Sequence, residues 1–522
     1  MLILDFSKNS KVPLYKQIYE YFAKEIRLGI LKENTKLPSI RELTKKLGVS
    51  KNTVESAYQQ LCAEGYVVSV AKSGFVVTKV QEIFKFSEDK KNDESKITEI
   101  EKVLENKNLD KSDFIDVSSS RVDEGMFPSS VLKNLYRQAV SGNNSKNFLC
   151  RGDNFGDEEF RKTLALHLFE SRGVKCSYKQ IVIGAGTEYL LSLAVKIIEK
   201  YKSRINNGEK SKLVFAVENP GYEKTEAIIC DNGAIVKKIN LDESGISVEQ
   251  IKASEIDCVY CTPAHQYPMG ITMPISRRSE LLSWAYEGQL SEFKCDTKYD
   301  KNSTVKYDSK YDNFNMTNCR FIIEDDYDSD YRYQGNPIPA LQGFDTRDCV
   351  LYLGTFSRSL SPSMRVSYLV LPNRLLDIFE QEMSYYSNTV SRIEQYVLNK
   401  FIYDKHFERH INRTRKIYEQ RRNVLIKALY DKIPDIKIYG EDSGLHFIAK
   451  LDDTKYDKIL FKYDTQNMTN LYTTIIKKAF DKKLLIGGTE SFLIFCYAHI
   501  DESQAKQIAD ILCQIIQENM TN

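Results

Sequence analysis

No stretch of the 522-residue chain approaches the roughly 18 uninterrupted apolar residues that a membrane-crossing helix needs. The amino terminus, Met1-Leu-Ile-Leu-Asp-Phe-Ser-Lys8, puts no basic region ahead of a long apolar run. A cytoplasmic protein without membrane contact is therefore expected. A surplus of one charge is also missing: 74 Lys and Arg face 72 Asp and Glu, a net charge of +2. That balance excludes a uniformly basic nucleic-acid coat and an acidic disordered tail. Eleven cysteines at irregular spacing make no disulfide framework and read as reduced thiols. The one tight pair, Cys258 and Cys261, has no second pair to complete a tetrahedral metal site. It lies in the apolar run Ile256-Asp-Cys-Val-Tyr-Cys261 and reads as strand core. His406 and His410 stand one helical turn apart, but no acidic residue completes a ligand set, so exposed helix surface is expected and no metal.

What is present is unevenly spread. Residues 1–80 hold 13 Lys and Arg against 7 Asp and Glu, a surplus of six that leaves the rest of the chain at −4. The neutral total conceals a basic head. Residues 81–114 are polar and charged, with one weakly helical stretch at Ile97–Leu104, and read as a linker. From 115 to 522, short apolar runs alternate with helix-length amphipathic segments: Leu213–Val217, Ile256–Cys261, Phe321–Ile323, Val350–Leu353 and Ser367–Leu371. This pattern predicts an α/β domain with a buried, mostly parallel sheet, its large lobe at about 145–375. A smaller α+β lobe is expected at about 376–522 together with 115–144. The segment 292–318, rich in Lys-Tyr-Asp, and the Asn-Met-Thr-Asn strings at 315, 467 and 519 have too little apolar content to add core and read as surface loops.

In the head, Leu14, Ile18, Phe22 and Ile26 fall on one face of a first helix. Ser39-Ile-Arg-Glu42 is a capping box for a second, which Gly48 ends. Ser50 caps a third with the inward stripe Val54, Tyr58 and Leu61. A hairpin, Tyr66–Val70 and Phe75–Thr78, turns at Gly74. Together these make a winged helix-turn-helix. The amino end of the third helix offers Ser50, Lys51, Asn52 and Thr53, where free N–H groups and the helix dipole attract phosphate. Asn52 suits an adenine edge, and Arg41 a phosphate or guanine. In order, Pro13-Leu-Tyr-Lys-Gln-Ile18, Leu37-Pro-Ser-Ile-Arg-Glu-Leu43, Leu47-Gly-Val-Ser-Lys-Asn-Thr-Val54 and Ala63-Glu-Gly-Tyr66 resemble the GntR-type bacterial regulators. The resemblance implies double-stranded operator DNA as partner, with Arg41, Ser50, Lys51, Asn52, Thr53 and the wing tip Ser73-Gly74 as contacts.

In the body, polar residues cluster where the apolar strands end, which is where ligands bind in open α/β sheets. They are Glu218-Asn-Pro-Gly-Tyr222, Thr262 to Gly270 including Tyr267, Glu324-Asp-Asp-Tyr327 and Gly354-Thr-Phe-Ser-Arg358, together with the turn Gly184-Ala-Gly-Thr-Glu188. These tails resemble the class I and II aminotransferases, fold type I of pyridoxal-phosphate (PLP) enzymes. Joined to the head, they resemble the MocR subfamily near its GabR-like branch. The resemblance implies that Asp325 pairs the pyridine nitrogen, Tyr327 faces the ring hydroxyl, and Tyr222 and Tyr267 flank the ring. It also implies that Gly186, Thr187, Glu188, Thr355, Ser357 and Arg365 surround the phosphate, and that Lys224 meets an effector carboxylate. It further implies a head-to-tail homodimer in which each head rests on the partner's large lobe.

One residue departs decisively. Where the family's Gly-Thr-Phe-Ser-Lys carries the Schiff-base lysine, this chain has Arg358, which stays protonated and cannot act as the amine nucleophile. Glu490 appears where a carboxylate-clamping arginine is expected. The leading expectation is a transcription regulator with a body inactive in transamination. That body would bind PLP, its amine form, or a PLP adduct of an amino compound noncovalently, or would have lost the cofactor and kept only the dimer. The competing reading is a PLP-dependent aminotransferase with an accessory DNA-binding head, another lysine such as Lys224 replacing the missing one.

Overall fold

The computed structural model describes residues 13–27, 30–70, 74–78, 113–118, 121–141, 148–209, 211–287, 320–333, 335, 338–451, 471–489 and 491–521. All but the last two residues of the linker, its helical stretch included, lie outside these residues, as do the 292–318 segment and the second Asn-Met-Thr-Asn string.

The head is built from α1 (Leu14–Arg27), α2 (Ile40–Leu47), α3 (Lys51–Ala63) and the hairpin β1 (Val67–Val70) and β2 (Gly74–Val77). Ser39 accepts from the Glu42 amide at 3.2 Å to start α2, and Gly48, at φ +61°, ends it. Ser50 caps α3 by accepting from the Thr53 amide at 3.1 Å. Ile18, Phe22, Val54, Tyr58 and Leu61 are fully buried, and the Tyr58 ring meets Phe22 and Phe75 edge-on at 5.8 and 4.9 Å. The stripe read from spacing is thus the core of the head.

The body contains, in chain order, β3 (Ile115–Asp116), α4 (Ser129–Val140), α5 (Glu158–Arg172), β4 (Ile181–Gly184), α6 (Thr187–Ile205), β5 (Val214–Asn219), α7 (Glu223–Asp231), β6 (Ile235–Asp242), β7 (Gly245–Ile246), α8 (Val248–Lys252) and β8 (Cys258–Cys261). There follow α9 (Ile275–Glu287), β9 (Phe321–Asp326), β10 (Val350–Thr355), β11 (Ser367–Val370), α10 (Asn373–Glu382), α11 (Arg392–Tyr403) and α12 (His406–Lys432). Eight strands form one sheet in the order β4-β11-β10-β9-β8-β5-β6-β7. The contiguous run β10, β9, β8, β5 and β6 is parallel, and β11 runs against both its neighbours. Alternate residues feed opposite faces. Cys258 and Tyr260 pack with α6 and α10, while Val259 and Cys261 pack with α8 and α9. Both cysteines are buried in the strand, and every cysteine among the described residues is unpaired.

The small lobe has β12 (Ile436–Tyr439), β13 (His446–Leu451), α13 (Leu471–Asp481), β14 (Leu484–Leu485), β15 (Gly487–Gly488), β16 (Leu493–Cys496) and α14 (Glu502–Thr521). The chain reaches it from the linker side too, because β3 pairs in parallel with β14. No helix among the described residues is long and apolar enough to cross a membrane.

Two expectations need correction. His410 is not helix surface: α12 passes beneath the loop after β10, and His410 Nε2 lies 2.8 Å from the Ser359 carbonyl with its ring buried. The last Asn-Met-Thr-Asn string is not a loop, since Asn519 lies in α14, is buried, and accepts from Lys478 at 2.7 Å.

The end of α5 is tied to the sheet by a buried pair: Arg172 Nε donates to Asp326 Oδ2 at 2.7 Å, and Tyr352 donates to the same oxygen at 2.6 Å. Removing one partner strands the other charge in the interior. Arg172→Met should therefore cost about 3–5 kcal/mol in urea denaturation. The double variant with Asp326→Asn should cost less than the two single losses added together.

Candidate functional site

The DNA-facing candidates sit on the two helices of the head. Arg41, Ser50, Lys51 and Asn52 are exposed and Thr53 is half-buried. Ser50 and Thr53 hydroxyls lie 2.8 Å apart, so each is partly engaged in the cap. Lys51 reaches Glu55 only at 3.9 Å with both side chains largely in solvent, a weak pair that leaves its charge available. Gly74 takes φ +94° at the hairpin turn, a left-handed conformation that suits glycine. Ser73 lies outside the described residues.

The second constellation is at the carboxyl edge of the parallel strands. Asp325, near the end of β9, is buried, and its Oδ2 accepts from Tyr260. Its Oδ1 is buried with no partner. Beside it, Tyr327 Oη lies 3.2 Å from His265 Nδ1, which is also 3.0 Å from each Asp328 oxygen. The Tyr267 ring stands 5.8 Å from Tyr222 and 6.3 Å from Tyr327, making an aromatic corner. The Arg358 guanidinium lies over the Tyr327 ring at 5.9 Å, in a position to draw on its quadrupole.

An anion cradle opens where β4 meets α6. Gly186, at φ +98°, caps α6, Thr187 opens it, and any side chain at 186 would overlap the Arg365 guanidinium. Arg365 itself donates to Glu188 at 2.5 Å. Burial pushes the Glu188 carboxyl up, but its own backbone amide, Arg365 and Lys224 outweigh this and leave it below the ordinary range. A phosphate bound here must share Arg365 with that carboxylate. Thr355 Oγ1 accepts from the Ser357 amide at 3.1 Å and lies 2.8 Å from Ser367 Oγ, while the Ser357 hydroxyl is buried without a partner. Glu490 lies outside the described residues.

Residues without an individual role in the expected DNA or cofactor contacts also take part. Glu218 accepts from the Thr262 amide and hydroxyl and from Gln266, bracing the loop that carries Tyr267. His446, from β13 of the small lobe, closes on His265 with ring centroids 4.8 Å apart. His265 lies in the strand-end string Thr262 to Gly270 and was legible there; His446 had no local signal. The ligand atoms of His265, Asp328 and His446 lie within 4.8 Å of one another. Yet His265 Nδ1 is held by Asp328, His446 Nε2 by the Pro268 carbonyl, and Arg358 faces the same group electrostatically. A divalent cation would meet that positive charge.

Residues 14–77 match the family model described as bacterial regulatory proteins, gntR family. Over 438 residues the chain is 34% identical to the uncharacterized HTH-type transcriptional regulator YdeL of Bacillus subtilis, covering 84% of each chain. The chain belongs to the MocR-type GntR regulators. It is 28% identical to the probable rhizopine catabolism regulatory protein MocR of Rhizobium meliloti, over 88% of this chain and 86% of that one. Among solved structures it resembles Pyrococcus horikoshii kynurenine aminotransferase, determined with PMP, at a TM-score of 0.61 and 20% identity, covering 81% of this chain and 98% of that one. That likeness shows the fold of the body alone. This MocR-type chain is therefore a DNA-binding transcriptional regulator with a fold type I, aminotransferase-like body.

In this regulator the carboxyl edge is acidic and its carboxylates are largely buried. Burial is the main force that pushes Glu218, Glu324 and Asp325 up to about 7, and Asp330 to about 6. Such groups keep their protons longer folded than unfolded, so their stabilising contribution is full below about pH 4 and is lost as pH rises through about 7. The urea midpoint should fall between pH 5.5 and 8, and Glu218→Gln should flatten that decline. A midpoint that rose across this window would contradict the assignment.

Proposed function

We propose that this regulator reads operator DNA with Arg41, Ser50, Lys51, Asn52, Thr53 and the wing tip, and senses a PLP-type ligand held noncovalently in the body. The working division is a head at 1–80, a linker at 81–114 and a body from 115, acting in the cytoplasm as a homodimer. The observation that carries the ligand reading is Asp325: a buried carboxylate at the sheet edge with one oxygen unpartnered, as are the buried Ser357 hydroxyl and His265 Nε2 near it. An orphaned buried acceptor costs free energy unless a donor arrives, and a protonated pyridine nitrogen is such a donor.

The residues present fit the group. Asp325 would hold the ring nitrogen, Tyr327 the ring hydroxyl, Tyr222 and Tyr267 the ring face, and Gly186, Thr187, Ser357 and Arg365 the phosphate. When bound, PLP supplies an electrophilic aldehyde and an electron-withdrawing ring. Arg358 cannot attack that aldehyde or shuttle a proton as a lysine amine does, because its guanidinium stays protonated. It can donate hydrogen bonds to an aldehyde or carboxylate oxygen. Lys224, close enough to Glu188 to affect its titration, supports an anionic effector group nearby.

The protein incubated with PLP, reduced with borohydride and weighed intact should carry no pyridoxyl mass, while PLP bound at equilibrium dialyses away. Asp325→Asn should weaken that binding more than tenfold, and Arg358→Lys should yield one reducible adduct at 358. A wild-type adduct mapping to Lys224 or another pocket lysine would establish the enzyme reading instead.

On DNA, affinity for a duplex from the gene's own upstream region should drop steeply with salt. Lys51→Ala should weaken binding across sequences and lower the salt slope by about one, as expected for a phosphate contact. Unchanged affinity in Arg41→Ala with Lys51→Ala would exclude this face.

A further inference from the structure

A second cleft lies across the sheet from Asp325. Strand alternation sends the successive acids of β9 to opposite faces. Asp325 meets Tyr260 on the side covered by α6 and α10, whereas Asp326 meets Tyr352 on the side covered by α5 and α12. On that second side, α5, the start of α12 and the loop after β9 enclose a cleft of about 730 Å³. Small-molecule sites span roughly 300–1,000 Å³. One wall is apolar: Phe407 and Ile411 are buried in it, while Leu166 and Tyr403 stand at the rim, 59% and 69% exposed. None of the residues that line the cleft is among the expected DNA or cofactor contacts.

Charged groups reach this cleft without counterparts. Asp330 gives its backbone carbonyl to Arg415 Nε and Nη2 at 3.2 and 2.9 Å, but among the described residues its carboxylate takes no hydrogen bond or ion pair. Burial, and then the Asp326 charge, push that carboxyl up to about 6 against the pull of Arg172 and Arg415. Arg415 is anchored with its fork at the cleft, and its Nη1 reaches only Asn412, at 3.4 Å. At the inner end Arg172, 4% exposed, keeps Nη2 without a partner, and such a buried donor favours the arrival of an acceptor. His167 lines the same cleft with its ring edge-on to Phe407 at 5.3 Å. Burial and Lys405 push its imidazole down to about 4, so it adds no charge at neutral pH. The remaining rim charges are paired with one another: Lys162 lies 2.8 and 2.9 Å from Glu158 and Glu159, and Lys405 lies 3.2 Å from Glu170.

We propose that this cleft is a second small-molecule site, separate from the pocket at the carboxyl edge, for an amino carboxylate with an apolar side chain. The ammonium group meets Asp330, the carboxylate meets Arg415 with Arg172 behind it, and the side chain lies against Phe407, Ile411 and Leu166. A plain amine would leave the guanidinium donors unanswered, and a plain acid would leave Asp330 unanswered. A ligand with both ends satisfies the cleft through charge-assisted hydrogen bonds, and the planar arginine fork suits a carboxylate. The site does not depend on the PLP reading of the other pocket.

The full-length protein, dialysed free of small molecules, tests this by calorimetric titration with L-leucine and L-phenylalanine. At least one should bind at one site per chain. For L-leucine, 4-methylpentanoate and 3-methylbutylamine are the matching acid and amine, and each should bind at least tenfold more weakly than the amino acid. Asp330→Asn and Arg415→Met should each weaken the amino acid tenfold or more. Leu166→Trp, a change at an exposed position that places an indole across the mouth, should do the same and keeps the test sound should either of the others fail to fold. Hydrogen exchange with the bound amino acid should show new protection in Glu158–Arg172 and His406–Arg415, and none in Thr262 to Gly270. Failure of both amino acids to bind overturns the proposal, as does affinity that survives all three substitutions. An amine or acid that binds as well as L-leucine overturns the two-ended recognition, and protection at Thr262 to Gly270 instead would put the ligand in the other pocket and overturn the second site.

Discussion

Carboxylates buried at one edge of a sheet set the terms for this molecule. Glu218, Glu324, Asp325, Asp326 and Asp328 are all below one-tenth exposed, at or near the carboxyl ends of parallel strands. Buried acids must be neutralised, paired or fully hydrogen-bonded. Asp326 is paired by Arg172, Glu324 takes the Leu341 and Gln342 amides, Glu218 takes Thr262 and Gln266, and Asp328 takes His265 and the Leu445 amide. Each of these bonds also positions an element: α5, the turn after Pro339, the Tyr267 loop and the β13 approach. Asp325 and Asp326 each keep one oxygen without a partner, and only Asp325 stands beside the aromatic corner without a cation to pair it. The architecture of the edge and the chemistry of the pocket are thus two consequences of one constraint.

The parts legible in the sequence are those whose causes are local. Ser39, Gly48 and Ser50 mark helix ends by their own backbone preferences, and the runs around Cys258, Phe321 and Val350 mark buried strands because both sheet faces are covered. The strand-end strings were readable because parallel topology sends every carboxyl end to the same edge. Contacts between distant segments were not readable. His410 looked like helix surface because its neighbours in sequence are charged, and only the path of α12 beneath Ser359 buries it. His446 reaches the pocket through the docking of a second lobe, and Asn519 is drawn into α14 by Lys478 from α13. The proline 209 positions after Gly65 that forbids a side chain there leaves no trace in local pattern.

Arg358 separates two properties that a lysine would join. A lysine holds the ligand and reacts with it, so occupancy is governed by covalent exchange. A guanidinium beside Tyr327, Asp328 and His446 contributes charge and directed donors without a nucleophile. A ligand held in that way would occupy the site according to its free concentration and an ordinary dissociation constant. The free energy that binding makes available to the rest of the molecule rises only as the logarithm of that concentration.

That limited free energy bears on where the signal can go. A coupling of a few kcal/mol shifts DNA affinity usefully only if the ligand distinguishes two positions of something attached to the recognition helix. The Glu64–Ile275 bond and the Gly65–Pro274 contact pack the end of α3 against the large lobe, and Arg278 clamps the base of the loop that carries Tyr267. With Tyr267 at one end and α3 at the other, a displacement of the pocket loop has packed atoms to act on along its whole length. Densely packed contacts of this kind have few intermediate arrangements.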